Sequence, residues 1–139
     1  MNARQPGSFD PRVAFIFEGI GPNETIGDFG LVMGGAAGDE LDRLDYRLGS
    51  PRHTLLLATS SGRHSNYYLL AVEDMPSTSR DVGGTKHALI RADMVYFEMP
   101  KGGGVFSVGS IAWSGSLSHN NYDNNVSRIT ENVLRRFSS

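Results

Sequence analysis

Three side chains in this sequence could transfer protons, which is the chemistry of general acids and bases. Glu18 follows the apolar run VAFIF, His64 lies in the polar turn SSGRHSN, and His119 lies in the loop LSHNNYDNN. An imidazole changes its charge near neutral pH, and a carboxylate at the end of a strand can act as an acid, a base or a metal ligand. These three residues are therefore the candidate catalytic groups. In the alternative interpretation, each of them caps an element or lies on the surface.

A second group of candidates follows the last predicted strand. Ser110, Trp113 and Asn121 lie in or next to a polar loop that leads into a patterned helix. A strand, a polar loop at its carboxyl end and a helix form the unit with which α/β proteins build sites. We therefore expect these residues to bind a substrate or to support the catalytic groups. The asparagines of this loop could instead supply left-handed turns and caps.

The sequence contains no recognised motif for a metal site or for a nucleophile. Its four histidines never lie three or four residues apart, so no helical metal motif exists: His53, His64, His87 and His119. There is no cysteine, and no serine lies in a GxSxG turn. No metal ligand is therefore assigned from the sequence.

The composition excludes several classes of protein. The chain has 139 residues, enough for one domain with a real core. Its net charge is −2, without a block of like charges, so we expect neither a nucleic-acid nor a membrane partner. No apolar run approaches the roughly 18 residues of a membrane span. The first residues do not resemble a secretory signal, and cysteine is absent, so we expect a cytoplasmic protein.

The patterning predicts one α/β domain over residues 13–139, preceded by a disordered polar tail at residues 1–12. Strands are predicted at residues 13–18, 53–59, 89–99 and 105–111, and helices at residues 36–48 and 124–137. The last two strands read as a hairpin. Residues 66–73 fit a strand or a short helix equally well.

The first predicted strand, residues 13–18, has no polar alternation. A strand of this kind is normally covered on both faces. It would be an ordinary central strand, or its covering elements would lie in sequence outside this chain.

The closing segment GGGVFSVGSIAWSGSLSHNNYDNNVSRITENVLRRF resembles the C-terminal end of the large (beta) subunit of N,N-dimethylformamidase. Earlier stretches resemble the same region in the same order: FEGI, IGDFGL, GGAAGDELDR, LGSP, SSGRHS and ADMVYFEMP. The resemblance covers residues 10–137, which is nearly the whole chain.

The resemblance implies an amidohydrolase. The family enzyme hydrolyses dimethylformamide to dimethylamine and formate, with a mononuclear iron held by two tyrosines and a carboxylate. Its large subunit pairs with a small one, and its C-terminal region is similar to a glutamine-amidotransferase-like domain. The implied fold is a three-layer, flavodoxin-like sheet with flanking helices, which this chain need not complete alone. The cysteine nucleophile of other such domains is absent here.

The family's large subunit is several times longer than this chain, and the resemblance places the iron ligands upstream of the matched region. No tyrosine of this chain lies in a motif that aligns with a ligand: Tyr46, Tyr67, Tyr68, Tyr96 and Tyr122. No cofactor is therefore assigned to this chain. The implied partners are the remainder of a large subunit or a small subunit, and a small-molecule amide. Whether the chain forms an oligomer is left open by the sequence.

The sequence leaves three hypotheses open. In the first, the chain is the C-terminal domain of a dimethylformamidase-type amidohydrolase, where it scaffolds the active site and contributes supporting groups. In the second, it is a self-sufficient metal-dependent amidase with Glu18, His64 and His119 as ligands. In the third, it is a module without catalysis that binds a small molecule or docks a subunit through the edge of residues 13–18.

Overall fold

The computed structural model of the protein describes residues 3–65, 67–68, 70–72, 75–77 and 83–139. The strands are β1 (Ala3–Arg4), β2 (Leu55–Thr59), β3 (Leu70–Val72), β4 (Met75–Ser77), β5 (Asp93–Glu98) and β6 (Gly104–Ser107). The α-helix α1 spans Asn125–Phe137. Short 3₁₀-helices occupy Pro6–Phe9, Pro11–Phe17, Tyr46–Leu48, Ile111–Ser116 and His119–Tyr122. In the described part of the chain, no helix is long and apolar enough to cross a membrane.

The larger sheet is four-stranded, has the order β1-β2-β5-β6, and pairs every neighbouring strand antiparallel. With this sheet and its helices, the protein is a small α/β domain. Because the sheet is antiparallel, it differs from the parallel sheet of the flavodoxin-like fold that the resemblance implies. Two local features explain the difference. A glycine turn joins β5 directly to β6, and a direct hairpin makes neighbours antiparallel because parallel neighbours need a long crossover. The segment predicted as the first strand is also helical.

The prediction of a strand at residues 13–18 is wrong, because the 3₁₀-helix Pro11–Phe17 occupies this segment. The Asp10 carboxylate caps the helix by accepting a hydrogen bond from the Arg12 N–H, and Pro11 presets φ for a first helical turn. The buried side chains recur at helical spacing: Val13, Ile16 and Phe17. The strand edge that the third hypothesis uses for docking is therefore not formed.

The prediction of a helix at residues 36–48 is wrong except in its last turn. Only Tyr46–Leu48 is helical, and Gly49 ends it in the left-handed conformation, as predicted for a C-terminal glycine. The residues before it form a loop in which Asp39 has φ +65°, which a right-handed helix cannot contain. Hydrogen bonds to a distant segment hold the loop instead, since the Gly38 N–H donates to Ser110 Oγ at 2.9 Å.

Residues 3–12, predicted as a disordered tail, pack on the sheet. β1 pairs with β2, and the Arg4 guanidinium donates to the Ser8 hydroxyl and lies 4.1 Å above the Phe17 ring centre. Ser8 is buried. Polar and cation–π contacts therefore hold this segment in place. Because such contacts leave no apolar pattern in the sequence, the segment was predicted to be a disordered tail.

Two predicted features are confirmed, but both strands of the hairpin are shorter than predicted: residues 89–92 are not part of β5, and β6 ends at Ser107, before the 3₁₀-helix Ile111–Ser116. β5 and β6 form the expected hairpin, in the register Val95 opposite Ser107 and Phe97 opposite Val105. The helix α1 begins after Asn124, whose side chain caps it by accepting from the Ser127 N–H at 2.9 Å.

The predicted strand at residues 53–59 is also confirmed as β2. Of the ambiguous residues 66–73, those at 70–72 form β3, which pairs with β4. Residues 66, 69 and 73 lie outside the described part.

The core lies between the sheet, α1 and the 3₁₀-helix Pro11–Phe17. The helix α1 contributes Val126, Ile129 and Val133, and the sheet contributes Leu57, Ala58, Met94 and Tyr96. Leu134 and Phe137, the other large apolar residues of this helix, are exposed. Leu134 lies roughly 100° around the helix from Val133, which turns it away from the sheet.

Candidate functional site

The buried pair Ser60 and His64 has the form of a nucleophile with its base. β2 ends at Thr59, and a tight turn brings His64 Nε2 to 2.6 Å from Ser60 Oγ. Ser60 Oγ also accepts a hydrogen bond from the Ala92 N–H at 2.8 Å. Two of the polar side chains that the sequence places at the end of this strand therefore meet in the structure.

Burial decides what this pair can do. The Ser60 side chain is 0% exposed and that of His64 is 6% exposed, so a substrate has no access to the hydroxyl. Gly84 packs so closely that a Cβ at this position would lie 2.6 Å from His64 Cβ. The hydrogen bonds of Ser60 join the end of β2, the following turn and the segment before β5. The pair therefore links these three segments to one another, and we refer to Ser60 and His64 together as the clamp.

Because His64 of the clamp is buried, we expect the free energy of unfolding to depend on pH. Burial lowers the pKa of His64 below its ordinary value of 6.5. The unfolded chain therefore binds more protons than the folded chain, so stability is complete above about pH 6.5 and is lost as the pH falls below it. We expect the free energy of unfolding to fall more between pH 7 and pH 5 in the wild type than in His64→Asn. Urea unfolding across this range measures it, and equal slopes for both proteins would contradict it.

Glu18 lies at the C-terminal end of the 3₁₀-helix Pro11–Phe17, where its side chain is exposed. Its backbone carbonyl accepts a hydrogen bond from Asn132 Nδ2 of α1 at 3.0 Å, and the carbonyl of Ile16 accepts from the same amide. The backbone at Glu18 thus ties two helices together. This is the capping position that the sequence allows as the alternative role.

His119 stacks on a ring that the sequence does not single out. Its imidazole lies parallel to Phe29, with 4.2 Å between the ring centres, and remains exposed. The next three residues are all left-handed, with φ of +48° at Asn120, +55° at Asn121 and +68° at Tyr122. Asparagine tolerates this conformation better than tyrosine does. Asn121 therefore supplies a left-handed residue to the exposed turn before α1, which is the alternative role for the asparagines of this loop.

Ser110 and Trp113 bond to groups of the chain itself. Ser110 Oγ accepts from the Gly38 N–H at 2.9 Å and donates to the Gly38 carbonyl at 2.8 Å. Trp113 is buried, and its Nε1 donates to Thr130 Oγ1 of α1 at 3.0 Å. Both side chains therefore connect segments that are far apart in sequence, which supports the domain from within.

The three candidate catalytic residues lie on different elements and do not form a metal-binding group. In the ranges that the structure describes, no cluster of three or more His, Asp or Glu side chains could hold a metal ion. The ligand set of the second hypothesis, Glu18, His64 and His119, is therefore not assembled in this structure.

Tyr68 and Tyr96 do not fit as ligands of the tyrosine-held iron that the resemblance implies. The Tyr68 hydroxyl accepts from the Asp39 N–H at 2.8 Å and donates to Met33 Sδ at 3.0 Å. Burial raises the pKa of Tyr96 above its ordinary value of 10, which disfavours the phenolate that a metal binds. No step is therefore derived through iron on this chain.

The sequence interpretation missed Asp93, the most buried carboxylate in the described residues. Its side chain accepts from the Leu44 N–H at 2.9 Å and from Arg91 Nε at 2.9 and 3.0 Å. A lone acid at the start of an apolar strand, two residues after an arginine, is the signal that could have revealed it. Asp93 fixes the loop of residues 36–45 against β5.

A narrow cavity of about 100 Å³ lies beside Asp93. Its walls include Arg43 and Thr54, whose Nε and Oγ1 atoms are buried and have no hydrogen-bond partner in the structure. The cavity is therefore part of the structural junction around Asp93.

The comparisons agree on one family. A sequence model described as "N,N-dimethylformamidase beta subunit-like, C-terminal" matches residues 2–124. The N,N-dimethylformamidase beta subunit of Paracoccus aminophilus is 54% identical over 134 residues, and that of an Alcaligenes species is 53% identical over 134 residues. Each alignment covers 96% of this chain but 18% of the relative, so the chain spans about a fifth of the length of these relatives.

Proposed function

The chain belongs to the N,N-dimethylformamidase beta subunit-like C-terminal family, and we propose that it forms the C-terminal part of a dimethylformamidase-type large subunit. The observation that carries the proposal is the 54% identity over 96% of the chain. Since the match covers 18% of the relative, hydrolysis of an amide C–N bond is proposed for the longer subunit and not for this chain alone.

The proposed role of this chain in that subunit is to scaffold the active site. The polar candidates support this role, because Ser60 Oγ, Ser110 Oγ and Trp113 Nε1 all bond to groups of the chain itself. Glu18 and His119 are exposed on separate elements. Side chains that are held in this way keep the domain rigid, and a rigid domain can position neighbouring catalytic groups.

We propose that the iron binds to parts of the enzyme outside this chain, and that the partners of this chain are the remainder of the large subunit or the small subunit, together with a small-molecule amide. The three-layer, amidotransferase-like architecture is proposed for the longer subunit, in which the antiparallel sheet described above would be one part. Its cytoplasmic location is likewise proposed from the sequence features alone.

A replacement chimera tests the proposal. In it, this chain replaces the matching 134-residue stretch of the Paracoccus aminophilus beta subunit, which is produced with its partner subunit. We expect the chimera to release dimethylamine from N,N-dimethylformamide, because the high identity preserves the contacts of the scaffold. We expect no release by this chain alone.

The control is the beta subunit without the matching stretch, which should be inactive. A chimera that is folded but releases no dimethylamine, beside an active parent enzyme, would contradict the proposal. Hydrolysis by the isolated chain would contradict the scaffold role.

A further inference from the structure

The loop between Gly27 and Gly35 holds two large apolar side chains in solvent. Leu31 is 85% exposed and Met33 is 68% exposed. A single exposed apolar side chain is ordinary on a protein surface, so the case for a contact surface depends on what holds these two and what lies beside them.

The loop is fixed to the domain, so its exposure does not come from a loose segment. The Leu31 N–H donates to the Gly115 carbonyl at 3.1 Å, and Ser116 Oγ donates to the Phe29 carbonyl at 2.8 Å. At the base of the loop, the Ala36 N–H donates to the Gly27 carbonyl at 2.9 Å. These bonds hold the loop in one shape.

The backbone of the loop is strained at the exposed methionine. Met33 has φ +51°, a conformation that costs roughly 1–2 kcal/mol for a residue with a Cβ. Its sulfur accepts a hydrogen bond from the Tyr68 hydroxyl, which fixes the side chain at the surface. Strain of this kind persists at sites where an unusual conformation has a function.

A cavity of about 360 Å³ lies on the other side of Leu31. Its walls are the stacked rings of Phe29 and His119 and the small residues Gly34 and Gly115. Projecting apolar side chains beside an aromatic-walled recess are the arrangement in which protein contacts concentrate their binding energy.

The charges around this surface are mainly negative. Asp39, Glu40 and Asp42 line the recess that Met33 also lines, where Arg43 pairs with Asp45 at 3.2 Å. Asp28 precedes Phe29 directly, and Asp39 bonds through its backbone to the tyrosine that contacts Met33. A complementary surface would therefore have an apolar centre and a basic rim.

We propose that Leu31, Met33 and the adjoining cavity form a docking surface for the remainder of a dimethylformamidase-type large subunit. This inference rests on the proposed function. The occupant follows from length, because more than four fifths of the sequence of the relatives lies outside the matched stretch and is the nearest chain available to cover this surface. The occupying segment has an apolar centre flanked by lysine or arginine.

Oxidation of methionine by hydrogen peroxide tests the surface, since the reaction follows solvent exposure. Met33 is compared in the isolated chain and in the replacement chimera by peptide mass spectrometry. We expect Met33 to oxidise at least about tenfold more slowly in the chimera, a factor that corresponds to about 1.4 kcal/mol of protection. Met99, which is 49% exposed on the β5–β6 turn, provides an internal reference for reagent access in the isolated chain.

Equal oxidation of Met33 in an active chimera and in the isolated chain would overturn the docking surface and leave the proposed function intact. An inactive, folded chimera would instead overturn the proposed function. Protection of Met33 in the isolated chain that rises with protein concentration would show that a second copy covers the surface, which would also overturn the inference.

A double variant gives a second readout. Leu31→Lys with Met33→Lys should lower the melting temperature of the isolated chain only slightly, because both side chains lie mostly in solvent and the change removes only the hydrogen bond from the Tyr68 hydroxyl to Met33 Sδ. In the chimera the same change should lower the melting temperature clearly, and Leu48→Lys, at a residue that is 55% exposed in the 3₁₀-helix Tyr46–Leu48, is the control for an added surface lysine. Equal melting temperatures for the chimera with and without the double variant would also contradict the docking surface.

Discussion

The Asp93→Ala variant is expected to unfold with a free energy about 3 kcal/mol below that of the wild type. The Asp93 side chain is completely buried, and it is the acceptor for both the Leu44 N–H and Arg91 Nε. Alanine would leave the amide without a partner and Arg91 without its counter-charge. Arg91 is only 19% exposed, so water can replace the carboxylate only in part.

Chemical denaturation measures this loss, with Glu131→Ala as the control. Glu131 forms an ion pair with Arg135 of similar length, 2.7 Å, but the two side chains are 49% and 77% exposed. Exposed pairs contribute little to stability, so this variant should stay close to the wild type. If both variants lost the same stability, the role of Asp93 at the junction would be refuted.

The Gly109→Ala variant is expected to lose a similar amount, about 3 kcal/mol, through strain and overlap together. Gly109 has φ +62°, and a Cβ there would lie 2.5 Å from the Asp42 carbonyl oxygen and 2.7 Å from that of Asp93. Both neighbours are backbone atoms, so no side chain can rotate away. The Gly109 carbonyl also accepts from the Asp42 N–H, which the displaced backbone would lose.

Gly102→Ala separates the two causes. Gly102 has φ +91° but no atom within 4 Å of its potential Cβ, so alanine there adds strain without overlap. We expect its loss of stability to be clearly smaller than that of Gly109→Ala in the same denaturation experiment. Equal losses would mean that backbone conformation alone accounts for the effect at Gly109.

These two variants probe one junction, which explains why the loop of residues 36–45 is not a helix. Asp42 bonds to Gly109 and Asp93 through its backbone, and Leu44 bonds to the Asp93 side chain. Helical spacing of apolar residues was a local signal, whereas these partners lie 49 or more residues away in sequence. Tertiary bonds therefore override a weak local preference.

Elements with strong local signals could be predicted from the sequence. The helix α1 has a capping residue at Asn124 and a buried stripe, and the hairpin β5–β6 has a glycine turn between two apolar strands. The segment VAFIF failed because five apolar residues fit a buried strand and a helix alike. Asp10 and Pro11 decide it in favour of a helix, and both signals were present in the sequence.

The chemistry of the candidate residues was harder to predict, because burial and distant partners determine it. His64 was recognised as a candidate, but Ala92 and Gly84, which enclose it and Ser60, belong to later segments. Phe29, whose ring stacks on His119, lies 90 positions before it in the chain, and nothing in the sequence indicates this contact. Sequence alone therefore identified reactive types but not their surroundings.

The scaffold role is tested most directly by kcat for N,N-dimethylformamide in the replacement chimera carrying Glu18→Gln or His64→Asn. Each rate is measured per folded molecule at a temperature where both variants remain native. The account predicts rates within about threefold of the unmodified chimera, since general acid–base groups typically contribute about 100-fold or more. A loss of about 100-fold in either variant, with folding intact, would show that this chain supplies a catalytic residue and would contradict the account.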